Sequence, residues 1–153
     1  MIQIYLLVIL VIILYYLINK ENKENVENVE KFENNKNVIM TTYFCKKKDP
    51  QRKNYAPCDD FIYIKPWYNS IKRLGLRGII FHDGMSKKFI KQYETENIRF
   101  EYVDSKKFEY SLNDQRFLIY YDYLLKHSEI SNVFMTDGND VKLVKSPFNN
   151  ICN

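Results

Sequence analysis

Two carboxylates sit close together at the end of an apolar run. They are Asp137 and Asp140, in Asn-Val-Phe-Met-Thr-Asp-Gly-Asn-Asp-Val, residues 132–141. Residues 132–136 read as a buried strand, and Gly138 and Asn139 between the acids read as a tight turn. Acids on such a turn offer hard oxygen ligands to a divalent cation. Mg²⁺ keeps waters and substrate phosphates in its shell beside one or two carboxylates, and Mn²⁺ also favours carboxylate and water. The plain alternative is a turn with no ligand, because Asp, Gly and Asn suit turn geometry by themselves. The segment is not an EF-hand loop, since Val141, Lys142 and Leu143 stand where further ligands would fall.

Other residues carry weaker chemistry. His82 and Asp83 end a second apolar run; the His is a candidate ligand or acid–base group, or a structural residue. Arg116 falls in the first turn of an expected helix, where the dipole prefers acids, so it is free for work elsewhere, such as a phosphate clamp. Lys46, Lys47, Lys48, Arg52 and Lys53 make a basic loop that would attract a diphosphate or would only be solvated. Cys45, Cys58 and Cys152 are odd in number and have no metal-ligand spacing. Cys45–Cys58 is a bridge if the surroundings oxidise thiols; free thiols are the alternative.

The elements that must position these residues alternate. Val38–Phe44 is a first strand whose polar end, Thr41 and Thr42, opens toward the ligand edge. Tyr63–Leu74 is a helix with Pro66 in its first turn and Trp67, Ile71 and Leu74 on one face. Residues 78–83 form a second strand, and Ser86 caps a short helix to Tyr93. Residues 98–103 form a third strand. Asn113 or Asp114 caps a helix to Lys126 with Phe117, Tyr120, Tyr121 and Leu124 on its apolar face. Then come the 132–136 strand and the acidic turn. This order predicts an α/β fold, a mainly parallel sheet with helices on both faces. Ligands of such sheets bind off the carboxyl ends of the strands, where the acidic turn lies.

Composition narrows the function. Hydrophobic residues are 46% and aromatics 16% of the 153 residues, enough for one modest core. A net charge of +4, with no arginine-rich run or zinc-finger spacing, does not favour nucleic acid. Four glycines form neither a G-x-G-x-x-G nor a P-loop, which argues against dinucleotide binding and P-loop hydrolysis. A hydrolase built on Asp83 or Asp137 lacks an accompanying nucleophile motif.

Residues 2–18 are apolar but for Gln3 and as a helix would be roughly 26 Å long at ~1.5 Å per residue. They are expected to be an uncleaved transmembrane signal anchor, with a cleaved signal peptide as the rival. Residues 19–37, near-triplet in Glu and Asn, are expected to be a polar stalk. Lys20 and Lys23 after the anchor would hold the body of the protein in the cytoplasm by the positive-inside rule.

The strand ending in Thr-Asp-Gly-Asn-Asp-Val, 136–141, resembles the acidic metal motif of GT-A-fold nucleotide-sugar glycosyltransferases, in the variant with two residues between the acids found in collagen-type enzymes. Lys-Pro-Trp-Tyr-Asn-Ser-Ile (65–71) with Gly-Ile-Ile-Phe-His-Asp (78–83) is similar to the first helix–strand unit of such domains. Asn-Asp-Gln-Arg-Phe (113–117) is similar to the helix before the motif. The resemblance implies a Rossmann-like donor-binding half over 38–153. Asp137 and Asp140 would hold Mn²⁺ or Mg²⁺ on the diphosphate of a UDP-sugar, Arg116 would support the site, and Thr41, Thr42 and Tyr43 would line the nucleotide pocket. It also implies a single-pass endomembrane protein with a luminal domain, against the positive-inside reading. An acceptor-binding half would be expected after residue 153, so the chain is expected to be a truncated glycosyltransferase homologue, with a non-catalytic anchored α/β fragment or pseudoenzyme that binds a partner chain as the alternative. A cut sheet would leave an exposed edge and apolar surface.

Overall fold

The computed structural model describes residues 9–20, 23, 36–48 and 53–149. They belong to two separate compact units, 1–34 and 35–153. In the first, residues 9–20 are helical, and the apolar side chains from Ile9 to Ile18 are all exposed. Among the described residues no helix is long and apolar enough to cross a membrane. At ~1.5 Å per residue the described helix extends about 18 Å, against a hydrocarbon core of ~30 Å. This overturns the expected transmembrane anchor at 2–18 and the single-pass endomembrane localisation that depended on it. Residues 2–8 lie outside the described residues, as do 24–35 of the expected stalk.

The second unit alternates strand and helix. Its strands are β1 (Asn37–Tyr43), β2 (Arg77–His82), β3 (Ile98–Tyr102) and β4 (Asn132–Met135). Its helices are α1 (Phe61–Leu74), α2 (Lys87–Tyr93) and α3 (Leu112–Lys126), with a 3-10 turn at Ser105–Lys107. The sheet order is β3-β2-β1-β4, and every pairing is parallel. β1 is therefore central. Val38, Ile39, Met40 and Thr41 are all 0% exposed, the continuous burial expected of a strand covered on both faces.

Ile39, Ile80, Ile98 and Phe100 share a core with Ile64, Trp67, Tyr68 and Ile71 of α1 and Phe89 of α2. Phe81, which alternates with Ile80, meets Tyr120 and Tyr123 of α3 on the other face, with ring centroids 5.4 and 5.1 Å away. Helices thus cover both faces of the sheet.

Local chemistry sets the helix ends. Asp60 caps α1 by accepting from the Ile62 amide at 2.9 Å, so the helix starts two residues before the sequence suggests and Pro66 falls in its second turn. Gly75 closes α1 with φ of 61°, and its amide reaches the carbonyls of Ile71 and Lys72. Ser86 caps α2 through the Phe89 amide at 3.1 Å. Ser111, not Asn113 or Asp114, caps α3.

Two expectations about packing are corrected. α3 buries Gln115, Ile119 and Tyr120, while Phe117 and Tyr121 are 52% and 60% exposed. The strand before the acids is not buried. β4 pairs with β1 alone among the described strands, and Phe134 and Met135 are each 43% exposed.

Candidate functional site

The chain leaves β4 at Thr136, whose amide donates to Met40 O at 3.0 Å. Trp67 Nε1 donates to Thr136 Oγ1 at 2.8 Å, so α1 holds the residue before the first acid. Gly138 then crosses the end of β1. A Cβ there would lie 3.0 Å from Thr41 Oγ1 and 3.4 Å from Thr42 O, so only glycine approaches this closely without a shift. Beyond the acids the chain returns to α1. The Leu143 amide donates to Ser70 Oγ at 3.1 Å, and Arg73 Nη2 donates to Leu143 O at 2.9 Å. Leu143 is buried in the core beside α1. The acidic turn is therefore pinned on both sides by one helix, with Leu143 docked against it.

Arg116 reaches the turn from the first turns of α3, and its Nη1 pairs with Asp137 Oδ1. Thr42, Tyr63, Asn113, Arg116, Asp137 and Asp140 line one cleft of about 280 Å³, with Phe44, Ala56, Leu112, Gly138 and Asn139 completing it. Tyr63 stacks on Tyr43 at 4.5 Å between ring centroids, which fixes an aromatic wall. The fold thus brings together Thr42, Arg116, Asp137 and Asp140 of the six residues expected at the site.

Thr41 and Tyr43 lie elsewhere. Thr41 faces the core beneath Gly138; it is 0% exposed, and its Oγ1 meets no partner among the described residues. Tyr43 is buried, and its hydroxyl donates to Pro57 O and accepts from the Asp60 amide at 3.3 Å. It anchors the loop before α1. Burial pushes its phenol up to about 12.

The second apolar run also ends in structural groups. His82 is 3% exposed, its Nδ1 accepts from the Met85 amide at 3.2 Å, and burial holds its pKa below the usual value. It is a neutral packing residue. Asp83 is buried and accepts from the Cys45 amide at 2.7 Å, the Lys46 amide, and Ser105 Oγ at 2.6 Å. Those bonds tie the end of β2 to the loop after β1 and to the 3-10 turn. Lys47 of the basic loop donates to Phe108 O, Tyr110 O and Gln115 Oε1 at 2.8, 2.6 and 3.0 Å, tying the segment before α3. Cys45 and Cys58 form a disulfide that closes the loop between β1 and α1. Arg52 and Cys152 lie outside the described residues.

The donor chemistry of the cleft is oxygen: two carboxylates on one turn, with the Asn139 amide between them. Among the described residues no group of three or more His, Cys, Asp or Glu could hold a metal ion. Such a pair fits a hard cation that keeps water and ligand oxygens in its shell, and does not fit a closed protein cage. Trp67, Ser70 and Arg73, which hold the turn, are residues that sequence reasoning did not assign to the site. Trp67 was legible only as a member of an apolar helix face. Comparisons with protein-family models, characterised proteins and solved structures return no match to this chain.

Proposed function

We propose that the cleft binds a nucleotide-diphosphate sugar, a UDP-sugar foremost, together with Mn²⁺ or Mg²⁺, as the donor site of a glycosyltransferase-like protein. The observation that carries this reading is the meeting of Arg116 with Asp137 and Asp140 in one cleft at the carboxyl edge of a parallel sheet. Asp137 and Asp140 would hold the cation, which supplies Lewis-acid neutralisation of a leaving diphosphate. Arg116 offers a planar fork that matches phosphate oxygens. The Tyr63 face and the Asn113 side chain suit a flat, hydrogen-bonding base. Trp67, Ser70 and Arg73 keep the turn in place, so the carboxylates need little reorganisation on binding.

Thermal unfolding of the full chain tests this. UDP with Mn²⁺ at a hundredfold excess over Kd should add about 2.7 kcal/mol of stability. UDP alone should add much less, and Asp137→Asn with Asp140→Asn should abolish the difference. Equal stabilisation with and without Mn²⁺ would count against the reading.

A second reading, a non-catalytic α/β module that assembles with a partner chain, draws on the exposed Phe134 and Met135 of β4 and the exposed Phe117 and Tyr121 of α3. Loss of self-association or partner capture on charging these residues, with no nucleotide binding, would favour it.

A further inference from the structure

We infer that Arg116 is a built-in counter-ion that withholds Asp137 from a free divalent cation and releases it to a cation arriving with a diphosphate. The inference rests on the donor-site reading and gives that site its order of binding. Arg116 Nη1 is paired with Asp137 Oδ1, one of only two carboxylates on the turn. A carboxylate oxygen engaged by a guanidinium is a poorer metal ligand, and the guanidinium charge repels a second cation nearby.

The pair is built to be exchanged. Its partners are 24% and 63% exposed, a setting in which solvent screens an ion pair and leaves it weak. The guanidinium lies 5.0 Å from the Phe117 ring centroid. A hollow of about 120 Å³ adjoins it, walled by Phe117, Tyr120, Met135 and Thr136. Arg116 and Asp137 themselves border that hollow, so open space lies beside the pair. Arg116 Nε is buried and meets no acceptor among the described residues, so the guanidinium has bonding capacity left over.

A second polar group is buried under the same turn, outside the cleft. Thr41 is wholly buried, its Oγ1 has no partner among the described residues, and it lies directly beneath Gly138. A diphosphate would take the guanidinium, add its own oxygens to a cation shell that two carboxylates leave open, and free Asp137 for the metal. Metal and diphosphate then each strengthen the other by the same factor.

Electron paramagnetic resonance of free Mn²⁺ tests binding of Mn²⁺ alone to the full chain, and isothermal titration tests binding of Mn²⁺ with pyrophosphate, with circular dichroism to confirm folding. The probes are Mn²⁺ alone and Mn²⁺ with pyrophosphate. Arg116→Gln should bind Mn²⁺ alone about tenfold more tightly than the natural chain, within the usual range of coupled sites, and bind pyrophosphate with Mn²⁺ about tenfold more weakly. Arg116→Lys, which keeps the charge, should remain as weak toward Mn²⁺ alone as the natural chain. Arg116→Met carries the same expectation as Gln if the Gln variant misfolds. Binding of Mn²⁺ with pyrophosphate by the natural chain, without any gain for Mn²⁺ alone in Gln or Met, would overturn the counter-ion role and leave the donor site standing. No binding by the natural chain or any folded variant would overturn both.

Discussion

At the scale of single residues, the acidic turn depends on side chains that do not line the cleft. Trp67 donates its indole N–H to Thr136, immediately before the first acid. Trp67→Phe keeps a ring in the core and removes the donor. It should lower stability by roughly 2–4 kcal/mol, the lost hydrogen bond plus the cavity left by the smaller ring, seen as a lower urea midpoint. Gly78 lies under the same indole, where a Cβ would fall 2.8 Å from Trp67 Cη2. Gly78→Ala should therefore cost roughly 1–3 kcal/mol as overpacking, by the same assay. Two titrations follow from burial. His82 has a folded pKa depressed below 6.5, so its contribution is present above that pH and is lost as pH falls. The urea midpoint should drop below pH 6.5, and His82→Gln should flatten that drop. Tyr43 has a folded pKa raised from 10.0 to about 12, so its contribution is present below pH 10 and is lost as pH rises toward 12. Tyr43→Phe should lose less stability than the natural chain across that alkaline window.

At the scale of elements, the sequence reveals what repeats and hides what depends on neighbours. The alternation of strands and helices was legible because apolar periodicity changes between them. So was the α1 face of Trp67 and Ile71, because their i, i+4 spacing is flanked by the polar Lys65, Asn69, Ser70, Lys72 and Arg73. The α3 face was misread for a physical reason. Phe117, Leu118, Tyr120, Tyr121, Tyr123, Leu124 and Leu125 place apolar area on nearly every side of that helix, so spacing alone cannot choose the buried stripe. β4 was misread similarly. A short run of Val, Phe and Met looks alike in a central and an edge strand, and only the sheet order assigns it to the edge. The acids were visible as a turn. Their pinning by Ser70 and Arg73 was not, because a bond from α1 to Leu143 spans about seventy residues and has no local signal.

At the scale of the whole molecule, two features govern behaviour in solution. The Cys45–Cys58 bridge closes the loop that carries Ala56 and ends two residues before the α1 cap, Asp60. Reduction should cost about 3 kcal/mol for a loop of this size, read as a lower unfolding temperature in dithiothreitol. The edge of β4, with Phe134 and Met135 exposed, offers unpaired backbone to another chain. Phe134→Lys should reduce concentration-dependent association in light scattering while leaving the unfolding temperature nearly unchanged. The cleft at the carboxyl ends of the strands is proposed to hold a diphosphate and a cation together. The most direct test is isothermal titration of the full chain with UDP, with and without Mn²⁺, beside an Asp137→Ala, Asp140→Ala control. The account predicts UDP binding that strengthens at least tenfold with Mn²⁺ and loses that gain in the control, the size expected of direct coupling. UDP affinity that ignores both the metal and the two acids, or no binding by the folded chain, would contradict it.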